Sequence, residues 1–282
     1  MTAMSKRCAR FAAWVLTLLA LLAPRPAAAQ SDLERARAFY NSGQFDESIA
    51  SATSAKSKPS AAASATLIIA RSRLERFRKL GDAGELASAR TDLVSLNPHN
   101  LTPQEIIEWQ IGVGTALFLE NQLAPAAEIF TAVLPSARTR LAPSEFEKLL
   151  EWWGTVVSRL ADTLTGDARR RAYEKLRADV RLELELNPLS RPATYWMVVS
   201  SRGAGDLEGA WGAAVAGWIR AGGQPDGRPL RADLEGLLTQ TLIPERAQAR
   251  TGQRLDARAT VAEIGVLNEE WRALRMRWSA ED

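Results

Sequence analysis

"EIIEWQIGVGTALFLENQLAPAAEIFTAVLP", residues 105–135, decides the fold. Its apolar positions recur every three or four residues on both sides of a short polar break, which is the period of a helix face and not of a strand. Two amphipathic helices joined by a tight turn are expected. Just upstream, Thr102 and Glu105 stand at capping-box spacing, and Pro103 suits the first helical turn. The same hydroxyl-to-glutamate spacing precedes periodic runs at Ser31 and Glu34, Ser144 and Glu147, and Thr260 and Glu263. Alternating runs are scarce, while Ala, Leu, Glu and Arg abound and 46% of residues are hydrophobic. The chain is therefore expected to be all-α.

The polar break recurs. Turn signals centre on Gly43, Gly81, Asn121, Gly166 and Gly205, at intervals of 38, 40, 45 and 39 residues, each between two helical patterns. Several units run to proline, at Pro98, Pro135 and Pro188. One helix pair cannot bury its own apolar face, so pairs at a near-constant period are expected to stack on their neighbours.

These units resemble tetratricopeptide repeats, the 105–135 unit most closely. Gly114 stands where that family keeps a small residue for close helix contact, Leu117 at a large apolar position, Ala126 at the small residue of the second helix, and Phe130 at its large packing residue. In the first unit Tyr40 is followed by Gly43 and Phe45, which match the family turn. The chain departs from the pattern in its longer period, in Gln110 at the tryptophan position, and in the Gly166 unit, which carries almost none of the diagnostic residues. The resemblance covers residues 31–223. It implies a right-handed superhelix of about five antiparallel helix hairpins over residues 30–223, with a C-terminal helical extension over 224–282.

It also implies binding along an inner wall lined by the first helix of each pair. The groove positions are then Arg37 and Tyr40, next Arg71, Glu75 and Arg78, then Glu108 and Thr115, and finally Tyr195 and Arg202. Arginine recurs among them. Guanidinium forks pair bidentately with carboxylates, so the expected partner is a protein or peptide of acidic character. The Asn residues with which the family's peptide-carboxylate binders hold a terminus are not seen at these positions.

Residues 1–29 resemble a secretory leader: basic Lys6, Arg7 and Arg10, an apolar stretch over 11–23, and small residues at Ala27, Ala28 and Ala29. The stretch is well short of the ~20 residues that span a bilayer. Cys8 precedes it, where a lipoprotein signal would need its cysteine to follow. Cleavage before Gln30 would remove four basic residues and no acid, taking 36 basic and 33 acidic residues to 32 and 33. No global charge then points to nucleic acid, and the single cysteine is gone. The expected location is the periplasm or beyond, with no membrane span after cleavage.

Groups for catalysis are few. His99, the sole histidine, lies in the turn sequence "NPHNLTP" and is expected at the surface. No phosphate-binding loop, nucleophile elbow, zinc motif or calcium loop is present, so neither cofactor nor metal is expected. Carboxylates on one helix, Glu147 with Glu151, or Glu183 near Glu185, offer the one acid/base route. A single helix cannot place them on opposite sides of a bond. Tryptophans are frequent and mostly on apolar faces, but Trp152 and Trp153 are adjacent and point about 100° apart, which leaves one of them for a groove.

After Gly223 a Gly/Pro linker, a short helix over 231–241 and a break at Pro244 are expected. The last helix aligns Ile264, Leu267, Trp271, Leu274 and Trp278 in one stripe, either a cap on the array or a docking face for a partner. The expected function is a non-enzymatic binding scaffold of a bacterial cell envelope. The alternatives are a cell-wall-polymer lytic enzyme built on an α-superhelix and a structural subunit docked through its last helix.

Overall fold

The computed structural model describes residues 28–252 and 257–279, so the leader, apart from its last two residues, lies outside the described part. Every described element is a helix or a turn, and the all-α expectation holds. None of the described helices is long and apolar enough to cross a membrane. The chain forms two compact units, one ending at Glu105 and the other beginning at Ile106.

The first unit holds α1 (Ala28–Asn41), α2 (Phe45–Lys56), α3 (Ala62–Leu80), α4 (Ala83–Ser95) and a 3-10 turn (Pro98–Asn100). Consecutive helices pack on one another, and α1 also touches α3. Alanine makes this possible: Ala36, Ala52, Ala55 and Ala65 are fully buried and let backbones approach closely. A buried hydroxyl chain joins the same three helices, Ser72 to Ser48 Oγ at 3.0 Å and Ser48 donating to the Ala36 carbonyl at 2.9 Å. His99 is exposed, and the Asn97 side chain accepts its backbone N–H at 3.0 Å.

The unit boundary falls in α5 (Pro103–Leu119). Its start is the reciprocal box read from sequence: the Thr102 N–H donates to Glu105 at 2.9 Å, and the Glu105 N–H donates to Thr102 Oγ1 at 3.3 Å. The second unit continues through α6 (Leu123–Arg140), α7 (Pro143–Asp162), α8 (Gly166–Leu186), α9 (Arg191–Gly203) and α10 (Leu207–Gly222). It ends with α11 (Arg228–Leu237), a π-helical turn (Leu238–Leu242), α12 (Ile243–Thr251) and α13 (Ala257–Trp278). From α6 onward sequence neighbours pack together, and α9 also touches both α7 and α11. Gly114 meets Phe130 as the sequence pattern requires: a Cβ on it would lie 3.0 Å from the ring.

All five turn markers adopt positive φ, and Asn121 is the one non-glycine residue among those described to do so. Asparagine tolerates this left-handed conformation better than other side chains. At three of the turns the backbone closes identically, with Gln44 donating to Phe39, Gln122 to Leu117 and Asp206 to Ser201 at 2.8–3.0 Å. This six-residue closure is the Schellman pattern, which satisfies the last carbonyls of α1, α5 and α9.

Four local expectations are corrected. α6 does not end at Pro135 but runs on to Arg140, because Ala137 is buried in the core and Arg138 lies 4.9 Å over the Phe146 ring and pairs with buried Glu183. α7 is capped one turn early: Pro143 takes the first helical position and Glu145, not Glu147, returns to the Ala142 N–H at 3.4 Å. α1 and α13 begin three residues before Ser31 and Thr260, so neither residue is an N-cap. Pro244 does not break the chain, because the π-helical turn before it widens the helix where proline has no N–H to give, and Leu238, Leu242 and Ile243 are fully buried there.

Candidate functional site

The expected linker after Gly223 is a tight turn, with Gln224 donating to Ala221 and Gly227 to Gln224, both at 3.1 Å. Gly227 lies so close to α10 that a Cβ would sit 1.8 Å from the Ala221 carbonyl oxygen. This turn returns the chain against α9 and sets α7, α9 and α11 in a row. Between them opens a groove of about 740 Å³. Glu147, Lys148 and Glu151 enter it from α7, Arg191, Pro192 and Tyr195 from α9, and Leu230, Asp233 and Leu237 from α11. Gln240 and Thr241 of the π-helical turn complete the lining.

Carboxylates dominate its electrostatics. Burial raises the Glu147 carboxyl above the usual range, although the Ser190 hydroxyl and the Arg191 backbone N–H, which donates at 3.2 Å, favour its charged form. Glu151 is raised first by its partial withdrawal from water in the groove and then by the charge of Asp233. Tyr195 is raised by burial and by both Glu151 and Asp233. Three helices thus place charges that feel one another. The side chains of Glu151 and Asp233 form no ion pair among the described residues. Nor is any group of three acidic or other metal-binding side chains among the described residues arranged to hold a metal ion.

The α7–α9 wall depends on a contact without slack. Trp196 is 7% exposed and lies flat against Gly154, where a Cβ would come within 2.4 Å of the indole. Its N–H makes no hydrogen bond among the described residues, yet it favours the charged form of Glu151.

No protein-family model, curated protein or solved structure matches this chain.

The groove positions read from repeat spacing divide between the two units. In the first, Arg37 pairs with Glu105 at 2.5 Å, the Arg71 guanidinium lies 4.5 Å over the Tyr40 ring, and Arg78 pairs with Glu75 at 2.6 Å. Burial alone would raise Glu105, but hydrogen bonds from Ser64 and Thr102 and the charge of Arg37 outweigh it and hold the carboxyl low. In the second, Tyr195 enters the groove, while Arg202 forks onto Glu245 at 2.9 and 2.6 Å. Glu108 and Thr115 are buried, which removes them from any open wall, because their face of α5 is turned inward. The arginines expected to await an acidic partner already hold carboxylates or an aromatic ring.

The C-terminal stripe also turns inward. Leu267 is fully buried, and Trp271 stands edge-on to Trp211 and Trp218 at ring separations of 6.4 and 5.2 Å. Ile264 and Leu274 pack partly against the same core, and only Trp278, at 58% exposure, faces solvent. A stripe so engaged closes the core of the second unit. Trp153 is buried and donates to Thr131 at 3.1 Å, while Trp152 meets Phe118 edge-on at 5.4 Å and stays out of the groove.

Spacing alone puts Glu147 at a helix cap and beside Glu151 on one helix, and it does not single out Asp233 or Arg191. The signal available was indirect: Pro143, Pro192 and Pro229 each mark an early helix start, and those three starts converge on the groove.

Proposed function

We propose that this protein is an exported binding scaffold of a bacterial cell envelope, its helix pairs stacking within each unit in the manner of a tetratricopeptide-like superhelix, and that it holds a protein or peptide in the groove between α7, α9 and α11. The observation that carries the reading is the groove itself. Its volume of about 740 Å³ suits a chain segment, and its apolar wall of Pro192, Leu230 and Leu237 beside a few placed charges is the usual composition of a recognition site. Recurrent turns, the resemblance of the 105–135 unit to tetratricopeptide repeats and the leader pattern support the scaffold and its export. Co-purification from native envelope tests it. The tagged protein is expected to retain a discrete protein partner that Tyr195→Ala releases, and retention of no partner at all would refute the reading.

A lytic enzyme is favoured by one observation: Glu151 and Asp233 belong to different helices, so two carboxylates reach the groove from separate walls. Release of soluble fragments from purified cell-wall polymer, abolished by Glu151→Gln, would establish that second reading in place of the first.

A further inference from the structure

Elsewhere among the described residues, four carboxylates each hold an arginine. Glu105 holds Arg37, Glu183 holds Arg138, Glu208 holds Arg246 and Glu245 holds Arg202. Glu151 and Asp233 are the contrast: they line one groove from different helices, the charge of Asp233 disfavours that of Glu151, and neither has an ion-pair partner among the described residues. The guanidinium of Arg191 does not answer them, because it donates to the Asp226 carbonyl at 3.3 Å. Near Glu151 lies the buried indole N–H of Trp196, a donor with no hydrogen bond among the described residues. That donor favours the charged form of Glu151 against the burial and the Asp233 charge that disfavour it, and a cation in the groove would act in the same direction.

Resting on the scaffold reading, we propose that the groove takes the cationic side chain of a lysine or arginine carried on an extended peptide segment, seated between Glu151 and Asp233. A cation there replaces a repulsion with two charge-assisted contacts. Pro192, Leu230 and Leu237 offer apolar surface to its methylene stem, and Tyr195 offers a ring face. The groove is far larger than one side chain, so the residues flanking the cation find room as well. Glu147 adds a third negative charge and Lys148 sits at the rim. The chemistry is the reverse of the acidic partner that the recurrent arginines suggested.

The test uses the purified protein and a blocked, fluorescein-labelled peptide in which arginine alternates with glycine, followed by fluorescence anisotropy. The comparison peptide carries citrulline, which keeps the shape and loses the charge. The arginine peptide is expected to bind at least about tenfold more tightly than the citrulline peptide, and Glu151→Gln and Asp233→Asn to weaken it about tenfold each, one lost charge-assisted contact apiece. Wild-type-like circular dichroism and a cooperative thermal transition whose midpoint is no lower than that of the wild type certify that these variants fold. Affinity is expected to fall as the pH is lowered and Glu151 and Glu147, both raised above the usual carboxylate range, take up protons in a groove that Asp233, Lys148 and Arg191 also line.

Equal binding of both peptides would overturn the cationic occupant and leave the scaffold reading standing. Undiminished binding to either variant would place the peptide elsewhere and overturn the site. Spermidine displacing the peptide at equal concentration would make a small amine the occupant and overturn the peptide assignment. No binding of either peptide would overturn the proposal, while the scaffold reading would still be judged by co-purification.

Discussion

Substituting Gly154 tests the packing that forms the groove wall. In Gly154→Ala the added methyl would lie 2.4 Å from the Trp196 indole, where ordinary carbon contacts need about 3.5 Å. The ring must withdraw by about 1 Å inside a packed core, and overpacking of this kind costs about 1–3 kcal/mol. Alanine returns about 1 kcal/mol of helix propensity, so the net loss is about 2 kcal/mol if the clash takes the upper end. For a unit of this size that is a fall in melting temperature of about 4–8 °C. Two further glycines calibrate the measurement. Gly114→Ala meets Phe130 at 3.0 Å, a contact that a small ring shift relieves, and is expected near neutral. Gly212→Ala meets nothing within 4 Å and is expected to stabilise by about 0.5–1 kcal/mol. Differential scanning calorimetry should rank the three in that order. A Gly154→Ala protein melting at or above the wild type would show that α7 and α9 do not approach as described.

Trp271→Ala should destabilise the second unit by about 3–5 kcal/mol, while Trp278→Ala stays within about 0.5 kcal/mol, as urea denaturation will show. Arg246 is 3% exposed, stacks 4.2 Å over Trp211 and forks onto Glu208. The Glu208 carboxyl is held low by its hydrogen bond from Arg246, so its stabilising contribution is present above the ordinary glutamate range and is lost as pH falls through the lowered value. Glu208→Gln should therefore lower the melting temperature at neutral pH and flatten its decline in acid. Glu151 has the opposite sign. Its carboxyl is raised by burial and by Asp233, so the ionised form weighs against folding at neutral pH and protonation relieves it. Glu151→Gln should raise the melting temperature at pH 7, with the gain shrinking as pH falls.

Local features were legible because local chemistry decides them. A left-handed turn admits few residues besides glycine and asparagine, so Gly43, Gly81, Asn121, Gly166 and Gly205 announced themselves. The Thr102–Glu105 box and the Gly114–Phe130 contact needed only spacing within one helix or one helix pair. The groove was less legible. Whether Glu147 caps α7 or enters a groove is decided by Pro143, which takes the first helical position and shifts the cap to Ala142. Asp233 shares a groove with Glu151 only because the turn at Gly227 folds back on Ala221, and no periodicity encodes that approach. Repeat spacing named Tyr195 for an inner wall of the array and Arg202 beside it, but it could not foresee that Tyr195 lines a groove closed by α11 or that Arg202 is taken by Glu245, because such neighbours are chosen by tertiary contact.

The edge-on setting of Trp271 between Trp211 and Trp218 has an optical consequence. Indole rings held at fixed, nearly perpendicular angles in van der Waals range couple their transitions, which gives a chiral band in near-ultraviolet circular dichroism that freely rotating rings lack. Because Trp271 reaches its neighbours only when α13 is seated, that band is an intrinsic, label-free signal of whether the C-terminal end of the chain is closed.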